Sequence, residues 1–370
     1  NNGDGLLLAL KAGCQLSDME MVQFHPTGML FPEEYAGILV TEAVRGEGGR
    51  LFNVNGDRFM EKYDSQRMEL STRDRVAIAN YTEIIEGRGT KNGGVFLDIS
   101  HKSKEFIIEK LPSIYRQFLE AQMLDISKKP MEVAPTAHYS MGGVIVDSDT
   151  HKTNIEGLYA AGEVASGVHG ANRLGGNSLT EILIFGRRAG RSASERSKNI
   201  DIQYRSKECI NLANEKINSF IKSGSQMARP LQRELRNIMW EYCGVVRDAS
   251  KLKKGLEKID DLKKSLHELD VRPNSEGFED LMLAFDLEGS IISASATLLS
   301  AAKRQESRGA HQRSDYKEID DSFNLNIKVD MDLNSNLRIS EKKLKNMSDG
   351  QINTIKNTEE INDLSGKLLE

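Results

Sequence analysis

Two neighbouring glycine-rich stretches constrain this chain more than anything else in it. Gly157-Leu158-Tyr159-Ala160-Ala161-Gly162-Glu163 reads as a short buried strand ending in a glycine and an acid. After a brief loop comes His169-Gly170-Ala171-Asn172-Arg173-Leu174-Gly175-Gly176-Asn177-Ser178-Leu179-Thr180-Glu181. Here Gly175 and Gly176 permit close backbone approach, and Ser178 and Glu181 stand at capping-box spacing. The run Leu179, Ile182, Leu183, Phe185, Gly186 predicts a buried helix that begins at the glycines. A helix N-terminus offers unpaired N–H groups and a partial positive charge, which suits an anionic or electron-rich ligand edge. Arg173 adds a fixed cation beside it. Strand, glycine loop and helix in succession make half of a nucleotide-binding βα unit, in which the acid at the strand end accepts hydrogen bonds from a ribose. The helix motif alone is equally compatible with an ordinary Gly-Gly turn; the two stretches together favour a nucleotide cofactor.

Other motifs stand around this centre. Gly3-Asp4-Gly5 precedes a leucine-rich segment, a glycine turn leading into a buried helix, and Asp4 alone reads as a helix N-cap. In Gln23-Phe24-His25-Pro26-Thr27-Gly28 the proline forces His25 out of helical geometry, onto an extended or turn segment. In Thr41-Glu42-Ala43-Val44-Arg45, helical geometry would put Glu42 and Arg45 on one face, where they can pair. Residues 50–60 alternate around Asn55-Gly56 and predict a hairpin. Ser71 or Thr72 then caps a helix carrying Arg73 and running through Tyr81; Arg73 taken alone is a surface charge. A strand at Val95–Leu97, helical material to about Leu124, and Pro135-Thr136-Ala137-His138-Tyr139-Ser140-Met141-Gly142-Gly143 follow. Beyond Lys198 the pattern changes to long amphipathic helices. One has Pro230 in its first turn and Leu231, Leu235, Ile238, Met239 and Tyr242 on its apolar face; another runs from about Phe278 to Ala302. Strict alternation from Phe323 to Leu333 predicts a half-buried strand, and the polar sequence after Asn334 predicts disorder.

The order of these motifs resembles the flavoprotein subunit of succinate dehydrogenase and fumarate reductase, from Asp4 to about Asp315. L-Aspartate oxidase is the nearest relative of that family, but it typically has a different residue pair after Arg173-Leu174, where this chain has Gly175-Gly176. The resemblance implies a partial, glutathione-reductase-like α/β FAD-binding domain with an inserted α+β capping domain and a C-terminal helical domain. The expected boundaries are 1–19 and 134–198 for the FAD-binding domain, 20–133 for the capping domain, 199–322 for the helical domain and 323–370 for a terminal strand and tail. The family's dinucleotide fingerprint, G-x-G-x-x-G, and the histidine that often carries the flavin covalently lie upstream of Gly3-Asp4-Gly5. Their absence and the start at Asn1 read as the C-terminal part of a longer chain.

Carried over residue by residue, the resemblance assigns substrate contacts to His25, Thr41, His138 and Arg173. It makes Arg73 the proton donor or acceptor, served by a relay through Glu42 and Arg45, and gives FAD contacts to Asp4, Glu163, Asn177, Ser178 and Leu179. It implies interconversion of succinate and fumarate, with electrons passed to an iron–sulfur subunit of a respiratory complex. The protein would be cytoplasmic and peripheral on the inner face of the membrane, through partner and anchor subunits. The alternatives are an L-aspartate oxidase and a non-catalytic fragment or interaction module without flavin. A net charge of -5 gives no reason to expect a nucleic-acid partner. Cys14, Cys209 and Cys243 have no metal-ligand spacing, so no metal is expected, and no uninterrupted apolar run reaches the ~18 residues of a membrane span.

Overall fold

The computed structural model describes residues 2–202, 204, 206–272, 279–344 and 350. The chain opens with helix α1 (Asp4–Lys11), whose N-cap is Gly3 in the left-handed region at φ 86°; no side chain caps it, so Asp4 is the first helical residue rather than the cap. A Cβ at Gly3 would sit 2.5 Å from the carbonyl oxygen of Gly289, which is why α1 can lie against the long helix α11 (Glu279–Lys303).

Two antiparallel sheets follow from the strand pairing. In one, β1 (Leu16–Ser17) lies between β6 (Gly143–Val144) and β7 (Leu325–Met331), and β8 (Leu337–Lys343) forms the edge. In the other the order is β2 (Val22–Met29), β5 (Met131–Ser140), β4 (Val95–Asp98), β3 (Arg50–Phe52). The chain leaves the first sheet at Ser17 and returns at Gly143, and the second sheet is built within that excursion. Gly142 and Gly143 make the return possible, because Cβ atoms there would lie 2.2 Å from Asp18 O and 2.3 Å from Val164 O. The second sheet is covered by α4 (Arg73–Glu83), α5 (Lys104–Lys110) and α6 (Pro112–Gln122), with the single turns α2 (Ala43–Gly46) and α3 (Met60–Tyr63) between strands. Its core holds Leu51, Val76, Leu97, Ile107 and Phe118.

After α7 (Asn177–Ser197) and α8 (Lys207–Phe220), helices α9 (Ala228–Cys243), α10 (Ala249–Ser265) and α11 pack on one another. Leu231, Leu235 and Ile238 of α9 are buried as the helical period requires, with Leu252, Ile259, Leu287 and Leu298 opposite them. By length and hydropathy α11 could cross a membrane, but 56% of its apolar window is buried within the protein, as in a core helix.

Several expectations give way. The hairpin at 50–60 does not form: β3 pairs with β4, and Asn53 Oδ1 accepts from the N–H groups of Asn55 and Asp57 (both 3.0 Å), closing a turn instead. Gly157–Glu163 is not a strand among the described residues; its only bridge joins Tyr159 to Lys152. Leu325, Ile327 and Val329 are buried as alternation predicts, but the polar stretch after Asn334 is partly ordered, as β8. Its side chains are mostly exposed, so the backbone ladder to β7 holds it, and Lys342 and Lys343 mark it as an edge strand. The end of the expected disordered tail lies outside the described residues, as does the start expected at Phe278 for α11.

Candidate active site

The site forms where β2, β5, α4 and the loop before α7 meet. His25 is buried on β2, with its ring Nδ1 3.0 Å from Thr27 O. Asn80 of α4 donates to Pro26 O (2.8 Å), fixing the His25-Pro26 segment against the helix. Thr27 donates its hydroxyl to Val40 O (2.7 Å) and accepts Val40 N–H at its carbonyl (3.0 Å), which draws Thr41 and Glu42 toward the same place. Among the described residues the Thr41 hydroxyl meets only Ala43 N–H, and Thr41 is exposed.

His138 on β5 lies edge-on to His25, with ring centroids 5.4 Å apart. Arg173 reaches in from the glycine loop: Nη2 donates to Gln23 Oε1 (2.8 Å) and is 3.4 Å from His138 Nε2. Its guanidinium stacks 4.2 Å over the Tyr139 ring. Arg173 is 6% exposed and its Nε has no partner among the described residues.

Arg73, the first residue of α4, gives Nε (2.6 Å) and Nη2 (2.5 Å) to Glu42 Oε2. Its guanidinium lies against Gly175, where a Cβ would come within 3.3 Å of Nη2, so any larger residue would crowd the arginine. Asn172 Nδ2 donates to Asp74 Oδ1 (3.1 Å), tying the glycine loop to the start of α4.

Charge and burial act together here. Burial, reinforced by the charges of Arg45 and Arg73, lowers His25 to about 4. Burial, then His25, Arg173 and Arg73, lowers His138 to about 4. Both rings are neutral at pH 7. Burial opposes ionisation of Glu42, but the Arg73 hydrogen bond and the charges of Arg73 and Arg45 hold its carboxyl below the ordinary range. Burial also lowers Arg45 and Arg173.

The expected Glu42–Arg45 pair is absent among the described residues. Glu42 is the N-cap of a one-turn helix and turns to Arg73, while Arg45 is buried and donates Nη1 to Glu69 O. Arg45 Nε and Nη2 have no partners among the described residues, so any link to Glu42 has to pass through another group.

The structure also alters the reading of the glycine loop. Helix α7 does begin at the glycines, with Gly176 as N-cap at φ 83°, but no side chain caps it. Glu181 instead accepts from the Tyr139 hydroxyl and lies 2.8 Å from His169 Nε2. Nor is α7 buried: Glu181 is its only buried residue, and Leu179 (67%), Ile182 (51%) and Leu183 (73%) face solvent. Sequence reasoning gave no role to Gln23, Asn172 or Tyr139, and cast Glu181 as part of a helix cap. Gln23 was reachable, since it lies two residues from His25 on a strand.

FAD fits this surface as one wall of its site. The α7 N-terminus is uncapped, Asn177 and Leu179 are exposed and Ser178 half-buried beside it, and apolar side chains continue along the helix. Gly5, next to Asp4, packs on Val164, next to Glu163, where a Cβ would come within 3.0 Å. Asp4 Oδ1 lies close to Gly289, and Glu163 Oε1 accepts from Ser140 N (3.1 Å).

Comparison with known proteins agrees. Residues 1–179 match the FAD binding domain family, and residues 232–354 match the family described as fumarate reductase flavoprotein C-term. The chain is 50% identical to a subunit of the CoM/CoB fumarate reductase of Methanothermobacter marburgensis, over 85% of this chain and 57% of that protein. Identity is 38% with the succinate dehydrogenase flavoprotein subunit of Coxiella burnetii, over 87% of this chain and 57% of the other. A point variant of E. coli quinol fumarate reductase FrdA superposes with a TM-score of 0.85 at 34% identity, covering 94% of this chain and 62% of that one. The chain thus spans little more than half the length of the curated relatives it matches. With both family matches in order, and the fold shared, the chain belongs to the FAD-carrying flavoprotein subunits of the succinate dehydrogenase and fumarate reductase family.

Proposed function

We propose that these residues form the substrate half of an enzyme that interconverts succinate and fumarate, with residues 20–133 as a lid over the cofactor between FAD-binding segments 1–19 and 134–198, residues 199–322 as a helical domain and residues 323–370 as its terminal strand and tail. The observation that carries this reading is the convergence of two neutral histidines, the Arg173 guanidinium and the Arg73–Glu42 pair on one point. A four-carbon dicarboxylate needs donors at both ends. His25 and Thr41 serve one carboxylate, and His138 and Arg173 the other, with the unpartnered Arg173 Nε free to donate. Asp4, Glu163, Asn177, Ser178 and Leu179 hold FAD, which when bound supplies the hydride acceptor or donor. Arg73 holds the proton that enters or leaves the neighbouring carbon. An arginine with pKa above ~12 is a weak acid, so it needs its position fixed and its proton replaced. Glu42 does the first directly and, with Arg45 reached through an intervening group, the second. The cations also stabilise charge building on the substrate carboxylate.

Identity of 50% with a CoM/CoB-linked fumarate reductase, against 38% with a succinate dehydrogenase flavoprotein, favours fumarate reduction as the working direction. Electrons would arrive through an iron–sulfur partner, the whole assembly being held at the inner face of the membrane by anchor subunits. L-Aspartate oxidase stays as the second reading, because the enzyme of Acinetobacter baylyi is also 38% identical, over 88% of this chain and 57% of that protein. The test is anaerobic reduction of the whole FAD-loaded protein followed by addition of fumarate. Reoxidation by fumarate, and flavin bleaching of the oxidised form by succinate but not aspartate, supports the reading. Bleaching by aspartate alone overturns it in favour of the oxidase, and a protein that holds no flavin overturns both.

A further inference from the structure

We propose that Gln23 is a positioning residue that decides which nitrogen of His138 carries the proton, so that a dicarboxylate binds there only with uptake of a proton. This rests on the reading above, in which His138 holds a carboxylate.

Gln23 is 2% exposed and every polar position of its carboxamide is used. Nε2 donates to Asn172 Oδ1 (2.8 Å) and to the carbonyl of Arg173 (2.8 Å). Oε1 accepts from Arg173 Nη2 (2.8 Å) and lies 3.1 Å from His138 Nε2. A carbonyl only accepts and a guanidinium only donates, so the amide can stand in one orientation; reversing it would set acceptor on acceptor and donor on donor. The oxygen facing His138 therefore carries no proton. Arg173 Nη2 also approaches His138 Nε2, at 3.4 Å, but it already donates to Gln23 Oε1 at 2.8 Å, so the shorter 3.1 Å contact decides and His138 Nε2–H is the donor. In the neutral ring Nδ1 is then bare. With Nε2 committed to Gln23, a carboxylate approaching His138 has to use Nδ1, and two lone pairs would oppose each other unless that nitrogen takes a proton.

The charged groups facing the ring are His25 from β2, Arg173 from the glycine loop and Arg73 from α4, all positive or able to become so. Burial first and these groups second keep the empty site's ring neutral, and a bound dianion reverses the sign of their field. One proton passes from buffer to His138 Nδ1 on binding and returns on release. His25 adds a separate share that Gln23 does not touch: its Nδ1 lies 3.0 Å from Thr27 O, which can only accept, against 3.3 Å from Thr27 N–H, and the shorter contact puts the proton on Nδ1 and leaves Nε2 bare.

The experiment is calorimetric titration of the whole FAD-loaded protein with malonate, a dicarboxylate with too few carbons to be dehydrogenated. Titrations at pH 7.5 in phosphate and in Tris read proton uptake from the difference in heats. The wild type is expected to take up between about one and two protons per malonate. In Gln23→Glu the carboxylate holds His138 charged beforehand, and uptake falls by about one. In Gln23→Leu the ring is free to carry its proton on Nδ1, and uptake falls by at least half a proton. A merely structural role for Gln23 would weaken binding in both variants and leave uptake unchanged, which overturns the proposal; so does wild-type binding with no uptake, a result that needs no variant to fold. Wild-type protein with flavin but no affinity for malonate overturns the function proposed above rather than the tautomer argument.

Discussion

Replacing Arg304 by methionine should be among the most damaging single changes outside the active site. Arg304 is 2% exposed and donates Nε to Glu20 Oε1 (2.6 Å), Nη1 to Glu306 Oε1 (2.9 Å) and to Phe323 O (3.0 Å), and Nη2 to Leu325 O (3.0 Å). Glu306 would keep Arg308 (2.8 Å) and the N–H of Asp320 (2.9 Å). Among the described residues Glu20 would keep no cation: it is fully buried, and its second oxygen already has no partner there. Removing one member of such a pair costs about 3–5 kcal/mol, because the remaining charge stays buried and unpaired. With a urea slope of about 3 kcal/mol per M, the midpoint should fall by about 1–1.7 M. Trp240, the only tryptophan, touches Phe24 of β2 and Tyr81 of α4, so in the 370-residue chain its fluorescence follows the junction that Glu20 leads into.

The pH dependence gives a second check on the same argument. Burial already raises Glu20 above its ordinary range despite Arg304, and without Arg304 it must rise further. A carboxyl with a raised folded pKa binds more protons folded than unfolded. Its contribution to stability is therefore fullest at low pH and is lost as pH rises through the shifted window. The penalty of Arg304→Met should accordingly be larger at pH 7.5 than at pH 5. The double change Arg304→Met with Glu20→Leu should recover at least half of it, since the stranded charge is gone. A midpoint shift corresponding to less than ~1 kcal/mol, a penalty that does not shrink at pH 5, or a double variant as weak as the single would refute the stranded-charge reasoning.

Arg73→Ala in the whole protein should keep its flavin spectrum and lose about 10²–10⁴ in fumarate turnover, measured by single-turnover reoxidation. His25→Gln should flatten the rise of thermal midpoint between pH 4 and 6.5, because a histidine lowered to about 4 binds fewer protons folded than unfolded and its stability is lost as pH falls through that window. Gly142→Ala, whose Cβ would meet Asp18 O at 2.2 Å, should lower the thermal midpoint far more than Gly56→Ala, whose Cβ meets nothing, although Gly56 at φ 85° carries some strain of its own. Changing Leu179 and Leu183 to Gln should reduce binding of a hydrophobic dye by the 370-residue chain while shifting its stability by no more than ~0.5 kcal/mol per site.

What could be read from sequence was chiefly what depends on local chemistry. Pro26 put His25 on a strand, the helical period found the buried face of α9, and alternation found β7. What could not be read depends on partners distant in the chain. Asn55-Gly56 is a good hairpin signal, yet the competing ladder to β4 and the Asn53 side chain decide otherwise. Glu42 and Arg45 are correctly spaced to pair, but Arg73, 31 residues from Glu42, takes the carboxylate. Ser178 and Glu181 fit a capping box until Tyr139 and His169 claim Glu181. In each case the local option was sound, and a charged or better-placed group from elsewhere replaced it.

The same comparison bears on why Arg173 is placed so firmly. Its carbonyl is held by Gln23, its Nη2 by the same residue, and its face by the Tyr139 ring, whose hydroxyl is fixed in turn by Glu181 of α7. Glu181 is the one residue of α7 that the described protein buries, while the apolar residues around it remain open. The helix is thus anchored at Glu181 by a polar contact, with Phe185 against the His151 ring further along, while Leu179 and Leu183 face solvent. A ligand that covers Leu179 and meets the uncapped N-terminus would bear on a helix whose register is already set by Arg173's neighbours. On the proposed function, covering the α7 N-terminus and placing Arg173 are therefore linked through Tyr139 and Glu181. Tyr139→Phe should loosen that link: it removes the hydroxyl but not the ring under Arg173, so flavin binding should survive while KM for fumarate rises more than kcat falls. Equal effects on both parameters, or loss of flavin, would show that the hydroxyl does something other than hold this joint.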